Sequence, residues 1–158
     1  MRFKMFLIFV SIMVSSFPFV GGNDLTQENK FSEKPGTIQS INIYNDGSVI
    51  NLARNNEIVN AFKCLLEGAH EMPAVGVALH DEITESLTRG LWVEFVFEET
   101  CQHNGLPYEK LLINIEKEFT GFNIIRYIDG VYDGRCFYVD LINKDMTDFY
   151  SVVFSFVN

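Results

Sequence analysis

Leu91-Trp92-Val93-Glu94-Phe95-Val96-Phe97-Glu98-Glu99 is the stretch on which the organisation of the chain turns. Val93, Phe95 and Phe97 fall on one side of a two-residue period, and Trp92, Glu94, Val96 and Glu98 on the other. That period belongs to a β-strand, whose successive side chains point to opposite faces. An apolar side set against a mixed side is the pattern of a strand in an antiparallel sheet, with one face packed and one facing water. Downstream, Thr100 to Pro107 reads as a loop, Leu111 to Ile115 as a strand and Phe122 to Ile128 as another. Asp129-Gly130 favours the positive φ angles of a two-residue hairpin turn, and Val131 to Ile142 returns from it. Gly134 interrupts that return strand as a bulge would.

Upstream, Ile38 to Tyr44 alternates, Asn45-Asp46-Gly47 signals a turn, and Ser48 to Leu52 comes back as a second hairpin strand. Asn55 or Asn56 can cap a helix running to about Glu67, with Ile58, Ala61, Phe62, Leu65 and Leu66 at helical spacing. Gly68 stands where a left-handed C-terminal cap belongs. Cys64 lies off the apolar stripe. From His70 to Gly90 the pattern is broken by Pro73 and Gly76; Asp81 to Arg89 reads as a short helix closed by Gly90. At the other end Phe149, Val152, Val153, Phe156 and Val157 repeat at i, i+3, i+4, i+7 and i+8, an amphipathic helix that Asp145 can cap. The valines make a terminal strand the alternative.

The expectation is an α+β domain: an antiparallel sheet of five to six strands with two helices covering one face. The order of elements resembles the two-half arrangement of TATA-binding-protein-like and ferredoxin-like folds. That likeness is one of elements and not of residues, and it implies nothing about function.

The first residues bear on destination. Arg2 and Lys4 precede Met5 to Val20, an uncharged run, and Val20-Gly21-Gly22 presents small residues for cleavage. This is the layout of a secretory signal peptide. A spanning helix needs ~20 apolar residues, and Pro18 breaks this run before that length. The expected division is a signal peptide over 1–22, a polar flexible leader over 23–36 and a single domain over 37–158, secreted or extracytoplasmic. Removing Arg2 and Lys4 leaves 10 basic against 21 acidic residues, a net of −11. Such a surface repels nucleic-acid phosphates and anionic headgroups, so neither nucleic acid nor stable membrane insertion after cleavage is expected. It suits a basic partner, a cation, or solubility alone. Cys64, Cys101 and Cys136 allow at most one internal disulfide, so the core must be mainly hydrophobic, and the chain's 15 Phe, 10 of them outside 1–22, can supply it.

No motif decides the chemistry. Cys101-Gln102-His103 behind Glu98 and Glu99 is the densest set of ligand types, but the paired spacings of structural zinc are missing. A cysteine nucleophile needs a base beside it and a lowered pKa, and neither follows from this spacing. Glu94 and Glu98, ~13 Å apart along a strand, are wider apart than the carboxylate pair of glycoside hydrolysis prefers and read as a solvated face. Phosphate-binding glycine loops are missing. Arg126, Tyr127, Tyr132, Arg135 and Tyr138 surround the Asp129-Gly130 turn, and such Arg and Tyr interleaving resembles the composition of binding surfaces. The alternative is that the tyrosines pack across the strands and the arginines pair with Asp129, Asp133 or Asp140. The expected function is therefore a small secreted binding domain without catalysis or cofactor. Its ligand, protein or small molecule, would sit on Arg126, Tyr127, Tyr132 and Arg135. The rival is a small secreted hydrolase or metal-binding protein using Cys101 and His103. A third reading, a domain that folds only within an assembly, would show a large uncovered apolar sheet face.

Overall fold

The computed structural model describes residues 36–76 and 79–158. The signal peptide assigned to 1–22 and nearly all of the leader assigned to 23–36 lie outside the described residues. The elements in chain order are β1 (Ile38–Asn45), β2 (Ser48–Ala53), α1 (Asn56–Leu66), β3 (His70–Gly76), α2 (His80–Ser86), β4 (Leu91–His103), β5 (Leu106–Ile115), β6 (Gly121–Ile128), β7 (Val131–Asp140) and α3 (Thr147–Phe154). The strands form one sheet in the order β2-β1-β4-β5-β6-β7-β3, with every neighbouring pair antiparallel.

The fold is α+β as expected, but the sheet has seven strands and the described chain three helices. The added strand is β3, hidden in the sequence by Pro73; proline is tolerated there because β3 is an edge. The expected loop over Thr100 to Pro107 is instead the tip of the β4–β5 hairpin, where Cys101 faces Tyr108 and His103 faces Leu106. Asn104-Gly105 makes the turn with φ of 49° and 73°. Asp46-Gly47 (46°, 84°) and Asp129-Gly130 (52°, 84°) make the other two hairpin turns in the same way. Positive φ at both central residues gives the turn a twist that matches its strands. The bulge expected at Gly134 is present: the β6–β7 register slips between Arg126 opposite Asp133 and Ile125 opposite Cys136.

Helices α1 and α3 lie together over one face. Asn55 caps α1, its Oδ1 accepting from the backbone N–H groups of Glu57 and Ile58. Lys144 closes the other end, its Nζ donating to the carbonyls of Cys64 (3.0 Å) and Glu67 (2.5 Å). A cation at a helix C-terminus also suits the helix dipole. Ile58, Val59, Phe62 and Leu65 of α1 and Phe149 and Val153 of α3 pack on Ile41, Ile43, Val93, Phe95, Leu111 and Ile113. The ring of Phe62 stacks on Phe95 at 4.9 Å and tilts against Phe149 at 5.7 Å. The third helix corrects the two-helix expectation: α2 sits on the opposite face, where Ile83 and Leu87 join Trp92, Leu112, Ile125, Tyr132 and Cys136 in a second, smaller core.

The sheet curls. His103 ends β4 and Glu71 lies in β3, with β5, β6 and β7 between those strands. Yet His103 Nε2 reaches the Glu71 carboxylate at 2.7 Å, and its ring meets Phe137 of β7 edge-on at 4.8 Å. The tip of the long β4–β5 hairpin therefore folds over the face covered by α1 and α3 and meets the far edge.

Candidate functional site

Antiparallel register lines up side chains in rows across the face that carries α2. One row runs Asn51, Asn42, Glu94, Leu112, Ile125 and Cys136. Beside it lies the row Val96, Lys110, Tyr127 and Tyr132. On the other side Val49, Tyr44, Trp92 and Asn114 stand abreast. Glu94 is thereby placed at the centre of a patch of donors drawn from β1, β5 and β7.

Glu94 is fully buried, which corrects the solvated strand face expected for it. Its Oε1 accepts from the Tyr132 hydroxyl at 2.8 Å and lies 3.5 Å from Lys110 Nζ. Its Oε2 accepts from Asn42 Nδ2 at 2.7 Å and from the Tyr44 hydroxyl at 3.2 Å. Asn42 Oδ1 accepts in turn from Asn51 Nδ2 at 2.6 Å. A buried carboxylate is tolerable only when partnered like this. The network also acts on the tyrosines. Burial first, and then the charge and hydrogen bond of Glu94, push the Tyr44 phenol up to about 12, and the Tyr132 phenol rises further for the same reasons.

The four side chains read from the hairpin do not share one exposed surface. Arg126 stands opposite Leu111, on the side covered by α1 and α3, and is fully buried. Its Nε donates to the Arg135 carbonyl, its Nη1 to the Pro107 carbonyl, and its Nη2 pairs with the Asp133 carboxylate. Tyr132 is buried on the opposite face, stacked on His80 at 5.6 Å, with its N–H donating to His80 Nδ1. Tyr127 and Arg135 keep solvent access. Tyr127 meets Tyr132 edge-on at 5.2 Å and carries Lys110 Nζ 4.2 Å above its ring. The half-exposed Tyr44 and Tyr127, with the partly exposed Lys110 between, thus form an aromatic and cationic rim over the buried carboxylate. Beside Lys110 the β4–β5 register breaks between Val96 and Cys101, opening a hollow of about 330 Å³ lined by Glu98, Glu99, Thr100 and Glu109.

Cys101 and His103 both fall on the side covered by α1 and α3 and both are buried. Burial pushes the Cys101 thiol up, and its Sγ donates to the Glu99 carbonyl at 3.4 Å. His103 is joined to Glu71, and Asn104 Nδ2 donates to the same carboxylate at 2.9 Å. Cys136 is also buried, its thiol raised to about 11 by burial and donating to Asn123 Oδ1 at 3.2 Å, and no disulfide joins Cys64, Cys101 and Cys136. Among the described residues no three His, Cys, Asp or Glu side chains gather as a metal ion requires. Nor is any helix among them long and apolar enough to cross a membrane.

Sequence alternation places Asn42 and Tyr44 on one side of β1, and Glu94 with Trp92 on one side of β4. It cannot show that these sides meet, nor that Tyr132 and Lys110 arrive from β7 and β5. Compared with known protein families, curated proteins and solved structures, the chain has no match in any of the three.

Proposed function

We propose that this is an exported binding domain that acts by contact and not by catalysis. The working surface in this proposal is the rim formed by Tyr44, Lys110 and Tyr127, with the exposed Arg135 at the hairpin as a second, separate contact point. The observation that carries it is the division of labour among polar side chains. Glu94, Arg126 and the His103–Glu71 pair are each held inside the frame by specific partners. The tyrosines and lysine above Glu94 keep faces toward solvent. Tyrosine and arginine anchors of this kind dominate many contact surfaces. The acidic hollow beside Lys110 and the net of −11 of the chain without Arg2 and Lys4 favour a protein partner that sets positive charge against that hollow.

The test is retention of partners from the native extracellular medium by immobilised protein. Tyr127→Ala and Arg135→Ala should each weaken retention at least tenfold while leaving thermal unfolding near the wild-type midpoint, and His103→Ala should retain partners if it remains folded. If His103→Ala alone abolishes activity and a chelator reproduces that loss, the hydrolase or metal-binding alternative built on Cys101 and His103 replaces the binding domain.

A further inference from the structure

The two edges of the sheet are built differently. β3 carries Pro73, which lacks an N–H, and its register against β7 slips between Met72 and Val75. It also carries His70 and Glu71. Proline, irregular register and charge are the devices by which edge strands avoid pairing with other chains. β2 has none of them. Ser48-Val49-Ile50-Asn51-Leu52-Ala53 contains no charge and no proline, and it pairs with β1 in unbroken register from Ser48 to Ala53. Val49 is 57% exposed.

The hairpin turn fixes which backbone groups of β2 point outward. A two-residue turn at Asp46-Gly47 makes Asn45 and Ser48 a hydrogen-bonded pair, and such pairs then alternate along the ladder. Ile50 and Leu52 therefore bond to β1, opposite Ile43 and Ile41. The N–H and C=O groups of Val49, Asn51 and Ala53 point away from the sheet. An outward row of this spacing can accept another antiparallel strand.

We infer that the partner at this edge is a second copy of the same chain, joined through β2 about a two-fold axis at Asn51. In that register Asn51 faces Asn51 of the second copy, and Val49 faces its Ala53. Both are outward-pointing pairs, so each exchanges two backbone hydrogen bonds. The side chains match as well. Ile50 falls opposite Leu52 on the face covered by α1 and α3, where both already pack partly against the core. On the other face the two Asn51 amides meet, and each already donates to its own Asn42. Shifting the register by one residue would set Ile50 against Asn51 and put apolar and polar side chains on the same face. A strand without charge also offers like-charged acidic molecules a place to meet with little repulsion. The contact is isologous and closes as a dimer, two seven-stranded sheets becoming one. It does not depend on what the Tyr44, Lys110 and Tyr127 rim binds.

Sedimentation equilibrium of the purified protein tests the pairing. The wild-type mass should rise toward twice the monomer value with concentration. Val49→Pro and Val49→Lys should hold it at the monomer value while circular dichroism and the unfolding midpoint stay near wild type. Register is tested in a Cys64→Ser background, because Cys64 is exposed whereas Cys101 and Cys136 are buried. Asn51→Cys should cross-link to a covalent dimer under mild oxidation, since hydrogen-bonded antiparallel pairs hold Cα atoms about 5.5 Å apart, within disulfide reach. Leu52→Cys should not. A wild-type monomer at every concentration, a dimer indifferent to Val49→Pro, or equal cross-linking at both positions would overturn the inference.

Discussion

Tyr132 shows how much one side chain can settle. Its ring closes the smaller core with Ile83, Leu87 and Leu112, its N–H meets His80, and its hydroxyl donates to Glu94. A hydrogen bond to a charged group contributes about 1.5–3 kcal/mol, so Tyr132→Phe should lower stability by about that much with the ring packing kept. Alkaline pH should reproduce part of this loss in the wild type. The phenols of Tyr44 and Tyr132 are raised above the ordinary value of 10.0, so the folded state favours their protonated forms. The stability they contribute is complete below pH about 10 and is lost as pH rises toward 12 and beyond. Urea midpoints measured across that range should fall more steeply for the wild type than for Tyr132→Phe. Equal slopes would mean that the hydroxyl does not share the carboxylate's environment.

At the scale of elements, burial separates what the C-terminal periodicity left equal. The repeat from Phe149 to Val157 foretold a helix, and α3 spans Thr147–Phe154, with Asp145 Oδ1 accepting from the Thr147 N–H. Phe149 and Val153 are buried, whereas Phe156 lies past the helix end and is only partly covered. Phe149→Ala should therefore cost about 3–5 kcal/mol, the range for a fully buried phenylalanine, and Phe156→Ala distinctly less. Urea unfolding of the two variants checks this, and equal losses would contradict the packing. Local signals carried most of the element list. Asp46-Gly47 and Asp129-Gly130 located their hairpins, Asn55 began α1, and Leu91 to Glu99 alternated as a strand. The failures share a cause: elements whose formation depends on partners distant in sequence. β3 exists because β7 offers it an edge, and Pro73 conceals it. Pro107 suggested a loop, although it sits opposite Gln102 within a hairpin and its carbonyl serves Arg126.

Across the whole molecule the curl and the register decide which polar residues are structural. Arg126, Tyr127, Tyr132 and Arg135 looked like one cluster because they surround one turn. Alternation and the bulge send Arg126 to one face and the two tyrosines to the other. Glu94 looked solvated because nothing local showed that Asn42, Tyr44, Lys110 and Tyr132 converge on it, across sequence separations of up to 52 residues. His103, the strongest candidate for chemistry by residue type, is drawn by the curl onto Glu71 and bridges the sheet's remote strands. Glu94, Arg126 and His103 thus hold strands together, and in the proposed function the half-exposed tyrosines above Glu94 meet the partner. The most direct test of that division is the urea unfolding curve of Glu94→Gln. Glutamine keeps the shape and removes the charge on which two phenols, an amide and Lys110 converge. The midpoint should fall by the equivalent of about 1–3 kcal/mol, the cost of leaving buried partners unsatisfied, with the slope of the transition unchanged. A curve superimposable on that of the wild type would contradict the account, because the carboxylate would then not be part of the frame.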